Sequence, residues 1–365
     1  MHASTSQPPQ RRNVDTLDRA AAPASRPRFT DAQIEMAHGA GGKASRRLVE
    51  GLIAPAFANP VLAQLSDAAV FSLGGTRVAT TADGYVVKPL RFPGGSIGEL
   101  AVNGTVNDLA VSGARAHALM ATLIVEAGLP SDVLRAEIET MADAAARAGV
   151  PIVGGDTKVV EHGMADGLYV TTFGIGIVDQ RASLGPDRIV SGDRVLLTGP
   201  IGDHGITILL ARGDLDFETD LRSDTRPLWP FVDALLETCG SGLRWMRDPT
   251  RGGVATALNE LVRGSHHAIA ISEEHVPLRD EVRGACELLG LDPLHIANEG
   301  QMLAVVAENV AEAALAALRA LPGGEQAACI GEVRDAPAGM VIATTAYGGT
   351  RVVDMLVGDP LPRIC

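Results

Sequence analysis

At 365 residues and 46% hydrophobic composition, the chain is long enough to bury about two domain cores and too long for a single small module. Its 44 acidic against 31 basic residues leave a formal charge of −13, which repels nucleic-acid phosphates and anionic lipid and excludes both as expected partners. Cys239, Cys286, Cys329 and Cys365 form no CxxC pair, hence no zinc knuckle or disulfide framework, and their scatter suits a reducing cytoplasm.

Residues 1–28 are rich in Pro, Ser, Arg and Ala and lack an apolar segment, so they read as a disordered tail rather than a secretory signal. Asp15 and Asp18 weigh against an organelle-targeting peptide. VFSLGGTRVATTADGYVV predicts a hairpin turning at Gly74 and Gly75, with Asp83 delivered at the end of its second strand. From Ile97 to about Arg115 apolar residues recur at helical intervals around the polar pair Asn107 and Asp108. LMATLIVEA predicts a strand, 132–148 a helix, VPIVGGDTKVV a short apolar run ending in a Gly-Gly-Asp turn, and GLYVTTFGIGIV another strand. This first unit, residues 29–190, is mixed α/β. RVLLTGPIGDHGITILLARG opens a second sheet-and-helix unit, residues 191–350, with helices expected at 228–239, 254–263 and 281–289 and strands at MLAVVA and MVIATTA. Residues 351–365, containing Pro360 and Pro362, read as a flexible tail with at most one strand. No apolar run reaches the roughly 20 residues needed to cross a bilayer.

Asp83 in TADGY, Asp108 in GTVNDLAVSGA and Asp156 in VGGDTK each stand beside small residues. Collected in space they would hold a hard cation such as magnesium; singly, each is a turn or helix cap. HGAGGK (38–43) and DPTRGG (248–253) can present backbone N–H groups and a cation to phosphate, although neither is a P-loop and HGAGGK also reads as a surface loop. Arg251 suits bidentate phosphate contact, or else pairs with Asp248. His204 in GDHG has no second ligand at metal spacing, and Glu299 in ANEG is either loop surface or site lining. Cys365 ends the chain, where termini are mobile and exposed, so burial is not its expected reason for being there.

Taken in order, HGAGGK, ADGYVV, RFPGGSIGELAVNGTVNDLAVSGA, GDTKVV, GPIGDHG, DPTRGG, CELLGLDPLHIANEG and the terminal PRIC resemble the hydrogenase expression/formation protein E (HypE) family of carbamoyl dehydratases. The resemblance runs from about residue 35 to 365. It extends more widely to the aminoimidazole ribonucleotide synthetase, selenophosphate synthetase and thiamine monophosphate kinase superfamily. It implies a two-domain ATP-binding fold whose N-terminal domains pair in a homodimer, with ATP and Mg2+ as cofactors and a cytoplasmic location. By carry-over, Asp83, Asp108 and Asp156 are the implied magnesium residues. Lys43, Asn107, Lys158, Asp248, Thr250, Arg251 and Gly252 would line the nucleotide site. Cys365 becomes the acceptor of a carbamoyl group from a HypF-like carbamoyltransferase, and its tail then enters the ATP site for dehydration to S-bound cyanide. Glu299 and His204 are the two candidate bases, and an iron-carrying HypC–HypD-like scaffold is the implied recipient. The competing readings are a related small-molecule synthetase or kinase, and a non-enzymatic ATP-binding assembly protein.

Overall fold

The computed structural model describes residues 28–214, 219–358, 361 and 363–365; Pro360, Pro362 and all but the last residue of the expected N-terminal tail lie outside them. After a 3-10 turn at Met36–Gly39 come α1 (Lys43–Leu48), a π-helical turn and the short α2 (Ala54–Ala56). The hairpin follows as expected: β1 (Ala69–Leu73) turns through Gly74 and Gly75, both at positive φ, onto β2 (Thr76–Tyr85), with Leu73 opposite Thr76.

Short β3 (Arg91–Phe92) and β4 (Gly95–Ser96) lead into α3 (Ile97–Val111), then β5 (Ala114–Glu126), α4 (Ser131–Ala148), β6 (Ile152–Val160) and β7 (Leu168–Val178). The five-stranded sheet runs β1-β2-β7-β5-β6, with β5 and β6 parallel around α4 and the other pairs antiparallel. VPIVGGDTKVV therefore does not turn at its glycines. Its residues 152–160 form one edge strand, and Gly155 is small because a Cβ there would lie 1.7 Å from the Ala121 carbonyl oxygen.

Sheet pleating decides which residues can meet. Asp83, Thr172, Ala121 and Gly155 stand in one cross-strand row, and the Thr172 hydroxyl donates to the Ala101 carbonyl of α3, so this row faces the helix. The next row, Gly84, Thr171, Thr122 and Asp156, faces the opposite way. That outer face also carries the exposed Met120, Phe173 and Ile177.

β8 (Arg194–Leu197), α5 (Asp203–Ala211), α6 (Trp229–Cys239), β9 (Leu243–Arg247), α7 (Gly253–Val262), β10 (Ala268–Ser272), α8 (Asp280–Leu289), β11 (Leu303–Val306), α9 (Ala311–Arg319), β12 (Ala328–Arg334), β13 (Val341–Thr344) and β14 (Thr350–Val353) complete the chain. Their seven-stranded sheet runs β14-β13-β10-β12-β8-β11-β9. Residues 350–353 thus belong to the sheet, because β14 finds ladder partners on the β13 edge, and the departing segment starts at Asp354 rather than at 351.

The two units share their cores. Leu109 and Ala110 of α3 pack with Phe231 and Leu235 of α6, while Ile97 and Leu100 join Ile206, Val282, Leu361 and Ile364 in a second cluster. α3 is consequently buried nearly all round, which explains why apolar and small residues dominate its sequence and why its polar Asn103, Asn107 and Asp108 are each bonded. Gly104 is required by this packing, since its Cβ would stand 2.1 Å from the Tyr85 hydroxyl of β2.

Candidate active site

α3 brings Asp108 against β2, where the Thr81 hydroxyl donates to Asp108 Oδ2 at 2.8 Å and the carboxyls of Asp83 and Asp108 hydrogen-bond each other. Two further acids arrive from other elements. Asp67 precedes β1, Asp248 follows β9, and one oxygen from each of Asp67, Asp108 and Asp248 lies within 4.8 Å of the others. Burial pushes Asp108 well above the usual carboxylate range, with the charges of Asp83, Asp248 and Asp67 adding to the effect. Burial and then Asp67 raise Asp248 to about 8. Arg247 contributes one compensating cation, at 3.0 Å from Asp67, but also pairs with Glu260 at 2.9 Å. Crowded carboxyls, with Arg247 on Asp67 and Arg251 acting on Asp83, make a hard-oxygen set that suits a divalent cation.

Asp156 does not join them. It lies on the outer face of the sheet, three strands from β2, half exposed and paired with Lys158 at 2.7 Å. Lys158 is exposed with it. The expected triad of Asp83, Asp108 and Asp156 is therefore replaced within one chain by Asp67, Asp83, Asp108 and Asp248, because β-strand alternation sends Asp83 and Asp156 to opposite faces.

HGAGGK and DPTRGG, distant in sequence, form one wall. Arg251 Nη1 donates to the Gly39 carbonyl at 2.7 Å, and Gly41 lacks a side chain where a Cβ would stand 2.8 Å from that of Arg251. Thr250 donates its N–H to the Asp248 carbonyl at 3.1 Å, and Gly252, at a φ of 79°, starts α7. The segment leaving β14 crosses this wall. Lys43 and Ala44 donate their N–H groups to the carbonyls of Leu356 and Val357 at 2.8 and 3.2 Å, and Lys43 Nζ pairs with Asp354 at 2.5 Å. A Cβ on Gly42 would come within 2.3 Å of the Leu356 oxygen, so this crossing needs glycine.

The chain end is docked, not loose. Val86 N–H donates to the Cys365 oxygen at 3.1 Å and Lys88 N–H to the Arg363 carbonyl at 3.4 Å, an antiparallel pairing just beyond β2. Leu361 and Ile364 are buried in the shared core, and Cys365 packs partly buried beside it. Arg363 Nη2 pairs with Asp166 at 2.7 Å, and Arg212 donates to the Arg363 carbonyl. The expectation of an exposed terminus fails because apolar Leu361 and Ile364 gain more by entering the interdomain core than a free tail would.

His204 holds this tail from α5. Its Nε2 lies 2.7 Å from the Ile364 carbonyl, an acceptor, so Nε2 carries the proton. Its Nδ1 then accepts from the Ser223 hydroxyl at 2.8 Å, while that hydroxyl oxygen accepts the Thr225 N–H at 3.2 Å. Burial lowers the His204 pKa and keeps the ring neutral. With both nitrogens engaged, His204 grips the tail and has no free lone pair for the base role expected of it. Glu299 differs: it is buried, and burial followed by the charges of Asp224 and Asp248 raises its pKa well above the ordinary value. Asn107 does not face outward from α3 toward a nucleotide alone; it accepts Leu228 N–H at 2.8 Å and donates to the carbonyls of Arg226 and Glu299.

Asp67, Arg247, Asp224 and Arg212 were not identifiable beforehand. Asp67 in LSDAAV and Asp224 in RSDTRP sit in ordinary loop contexts, and only the fold gathers them.

Comparison with known proteins places this geometry. Residues 65–178 match the AIR synthase related protein N-terminal domain and residues 190–343 its C-terminal domain. The chain is 47% identical over 332 residues to carbamoyl dehydratase HypE of Bradyrhizobium diazoefficiens, covering 91% of this chain and 96% of that one. A structure of a HypE–HypF complex superposes with a TM-score of 0.80 at 43% identity, over 85% of this chain and 99% of the other. One of hydrogenase maturation protein HypE in complex with ATP superposes at 0.76 with 46% identity, over 89% and 98%.

Proposed function

The chain belongs to the HypE family of carbamoyl dehydratases, and from that premise we propose how its residues carry out ATP-dependent dehydration of a carbamoyl group on Cys365 in NiFe-hydrogenase maturation. The observation that carries the proposal is the docked tail. β2 bears Asp83 of the acid cluster, and three residues further on, just past the end of that strand, Val86 receives Cys365, so the cysteine is seated on the chain that leaves Asp83.

ATP and a HypF-like carbamoyl donor are carried over from the relatives that hold them. Asp67, Asp108 and Asp248, with Asp83, are the residues that would hold Mg2+, whose charge would offset that of the transferring phosphoryl group. Lys43, Arg251 and the glycine-loop N–H groups are the donors that would hold the triphosphate, and the N–H groups of Lys43 and Ala44 are taken here by the tail carbonyls of Leu356 and Val357. The carbamoyl oxygen on Cys365 attacks the γ-phosphorus and ADP leaves, which converts a poor leaving oxygen into phosphate. One nitrogen proton is lost as the oxygen is phosphorylated, and removal of the second expels phosphate and leaves S–C≡N; S-carbamoyl-Cys365 and ATP thus give S-cyano-Cys365, ADP, phosphate and a proton. Glu299, buried with a raised pKa, takes the proton. His204 Nε2–H holds the Ile364 carbonyl while this happens.

Homodimer formation completes the site in this reading. The exposed apolar Met120, Phe173 and Ile177 cover the outer face of the first sheet, and Asp156 and Lys158 share that face, ready to project toward a second copy. An iron-carrying HypC–HypD-like complex is the recipient of the cyanide, and Mg2+ is the cation.

The test is intact and peptide mass measurement of protein incubated with carbamoyl donor, ATP and magnesium. A carbamoyl adduct on Cys365 should lose one water when ATP is added. An adduct that persists unchanged overturns the proposal.

A further inference from the structure

We infer that Asp224 is the positioning residue for Glu299, and that the strap carrying it, residues 219–228, sets the base and the tail-gripping histidine together. This rests on the reading that Glu299 removes the proton. Residues 219–228 lead into α6 without regular structure, yet they are pinned along their length. Ser223 donates its N–H to Pro93 O at 2.9 Å, Asn103 Nδ2 of α3 donates to the Thr225 hydroxyl at 3.0 Å, and Leu228 N–H donates to Asn107 Oδ1 at 2.8 Å.

From this fixed platform the Asp224 carboxylate accepts two adjacent peptide N–H groups, Glu299 at 3.1 Å through Oδ1 and Gly300 at 3.0 Å through Oδ2. The matching carbonyls are also taken. Asn107 Nδ2 donates to Glu299 O at 3.3 Å and Arg226 Nε to Gly300 O at 2.7 Å. All four backbone polar groups at Glu299 and Gly300 are thus satisfied by side chains of the strap and α3, which leaves this dipeptide no alternative backbone arrangement. Glycine at 300 is what permits the contact, since a Cβ there would lie 1.8 Å from the Asp224 carbonyl oxygen. The preceding strap residue, Ser223, holds His204 Nδ1. A shift of the strap would therefore move the proton acceptor and the tail clamp as one body.

Asp224 also contributes a negative charge beside Glu299. The other charged groups facing Glu299 are Asp248 and Arg251 from the β9–α7 loop and Asp83 from β2. Removing the Asp224 charge should therefore ease ionisation of Glu299.

The experiment is single-turnover nitrile formation as a function of pH, using full-length protein already carbamoylated on Cys365 with ATP and magnesium. In D224N the maximal rate is expected to fall about tenfold or more, because displaced reacting groups lose alignment. Its rising pH limb should move to lower pH, the effect of deleting a neighbouring like charge. D224E, which keeps the charge on a longer arm, should be slowed with its limb unmoved. Loading of Cys365 by the carbamoyl donor reports an intact fold. A wild-type rate or an unmoved limb in D224N overturns the inference; if D224N does not load, a wild-type rate in D224E overturns it. A wild-type rate in E299Q instead overturns the assignment of the base.

Discussion

Asp248 titrates at about 8 because it is buried among Asp67, Asp83 and Asp108, and this has a measurable thermodynamic consequence. An acid whose folded pKa exceeds its unfolded value binds an extra proton when folded, so its stabilising effect is present at low pH and is lost as pH rises. For Asp248 that window runs from about 4, its ordinary value, to about 8. The metal-free protein is expected to lose thermal stability across that window, and magnesium should flatten the loss; thermal midpoints from pH 5 to 9, with and without magnesium, check this. Asp248→Asn should remove part of the slope while weakening magnesium-dependent ATP use. At Glu299 the chemistry is sharper: Glu299→Gln should slow nitrile formation by about a hundredfold or more, the scale of general base catalysis, and leave Cys365 loading intact. Cys365→Ser should behave conversely, abolishing loading while ATP affinity measured by calorimetry stays unchanged.

α3 is the element on which the site is built, and its packing tolerates little. It presents Asp108 to the acids and Asn107 to the strap while its remaining surface is buried against β2, β7 and α6. The Glu137 carboxylate of α4, itself wholly buried, accepts the Gly98 N–H at 3.1 Å in the first turn of α3 and pairs with Arg91 at 2.7 Å. Gly104→Ala is expected to destabilise the protein by roughly 1–3 kcal/mol, the cost of overpacking. Because the clash is with the Tyr85 hydroxyl, Tyr85→Phe should recover part of that loss in the double variant. Urea denaturation of the four proteins in this cycle measures the coupling; strictly additive effects would show that the two residues do not meet as described.

At the scale of the whole molecule, the division of Asp83 and Asp156 between two faces of one sheet makes a prediction about assembly. If a second copy supplies Asp156 to the first copy's acids, Asp83→Asn and Asp156→Asn variants should each be inactive alone. Mixed after refolding, they should recover about a quarter of wild-type activity, half the dimers being mixed and half of their sites intact. A mixture that stays inactive would show that Asp156 acts on its own chain or not at all. The interdomain core, which joins Ile97, Ile206, Leu361 and Ile364, also means that tail departure for loading must open apolar surface.

Much was determined by the sequence alone. The hairpin at Gly74 and Gly75, the helix carrying Asn107 and Asp108, and the strand and helix spans of the second unit follow from local turn chemistry and apolar period, which need no distant partner. The motif order ending in PRIC was likewise enough to identify the family. Tertiary structure alone decided the rest. Glycine permits a turn in VGGDTK, whereas pairing with β5 makes it a strand and sends Asp156 away from Asp83. Asp67 and Asp224 carry no local signal, since their meaning lies in the charges and N–H groups brought to them from remote segments. The terminal cysteine looked exposed because chain ends usually are; only the cleft between two domains, with Val86 and His204 waiting to bond the last residues, made burial of the tail favourable.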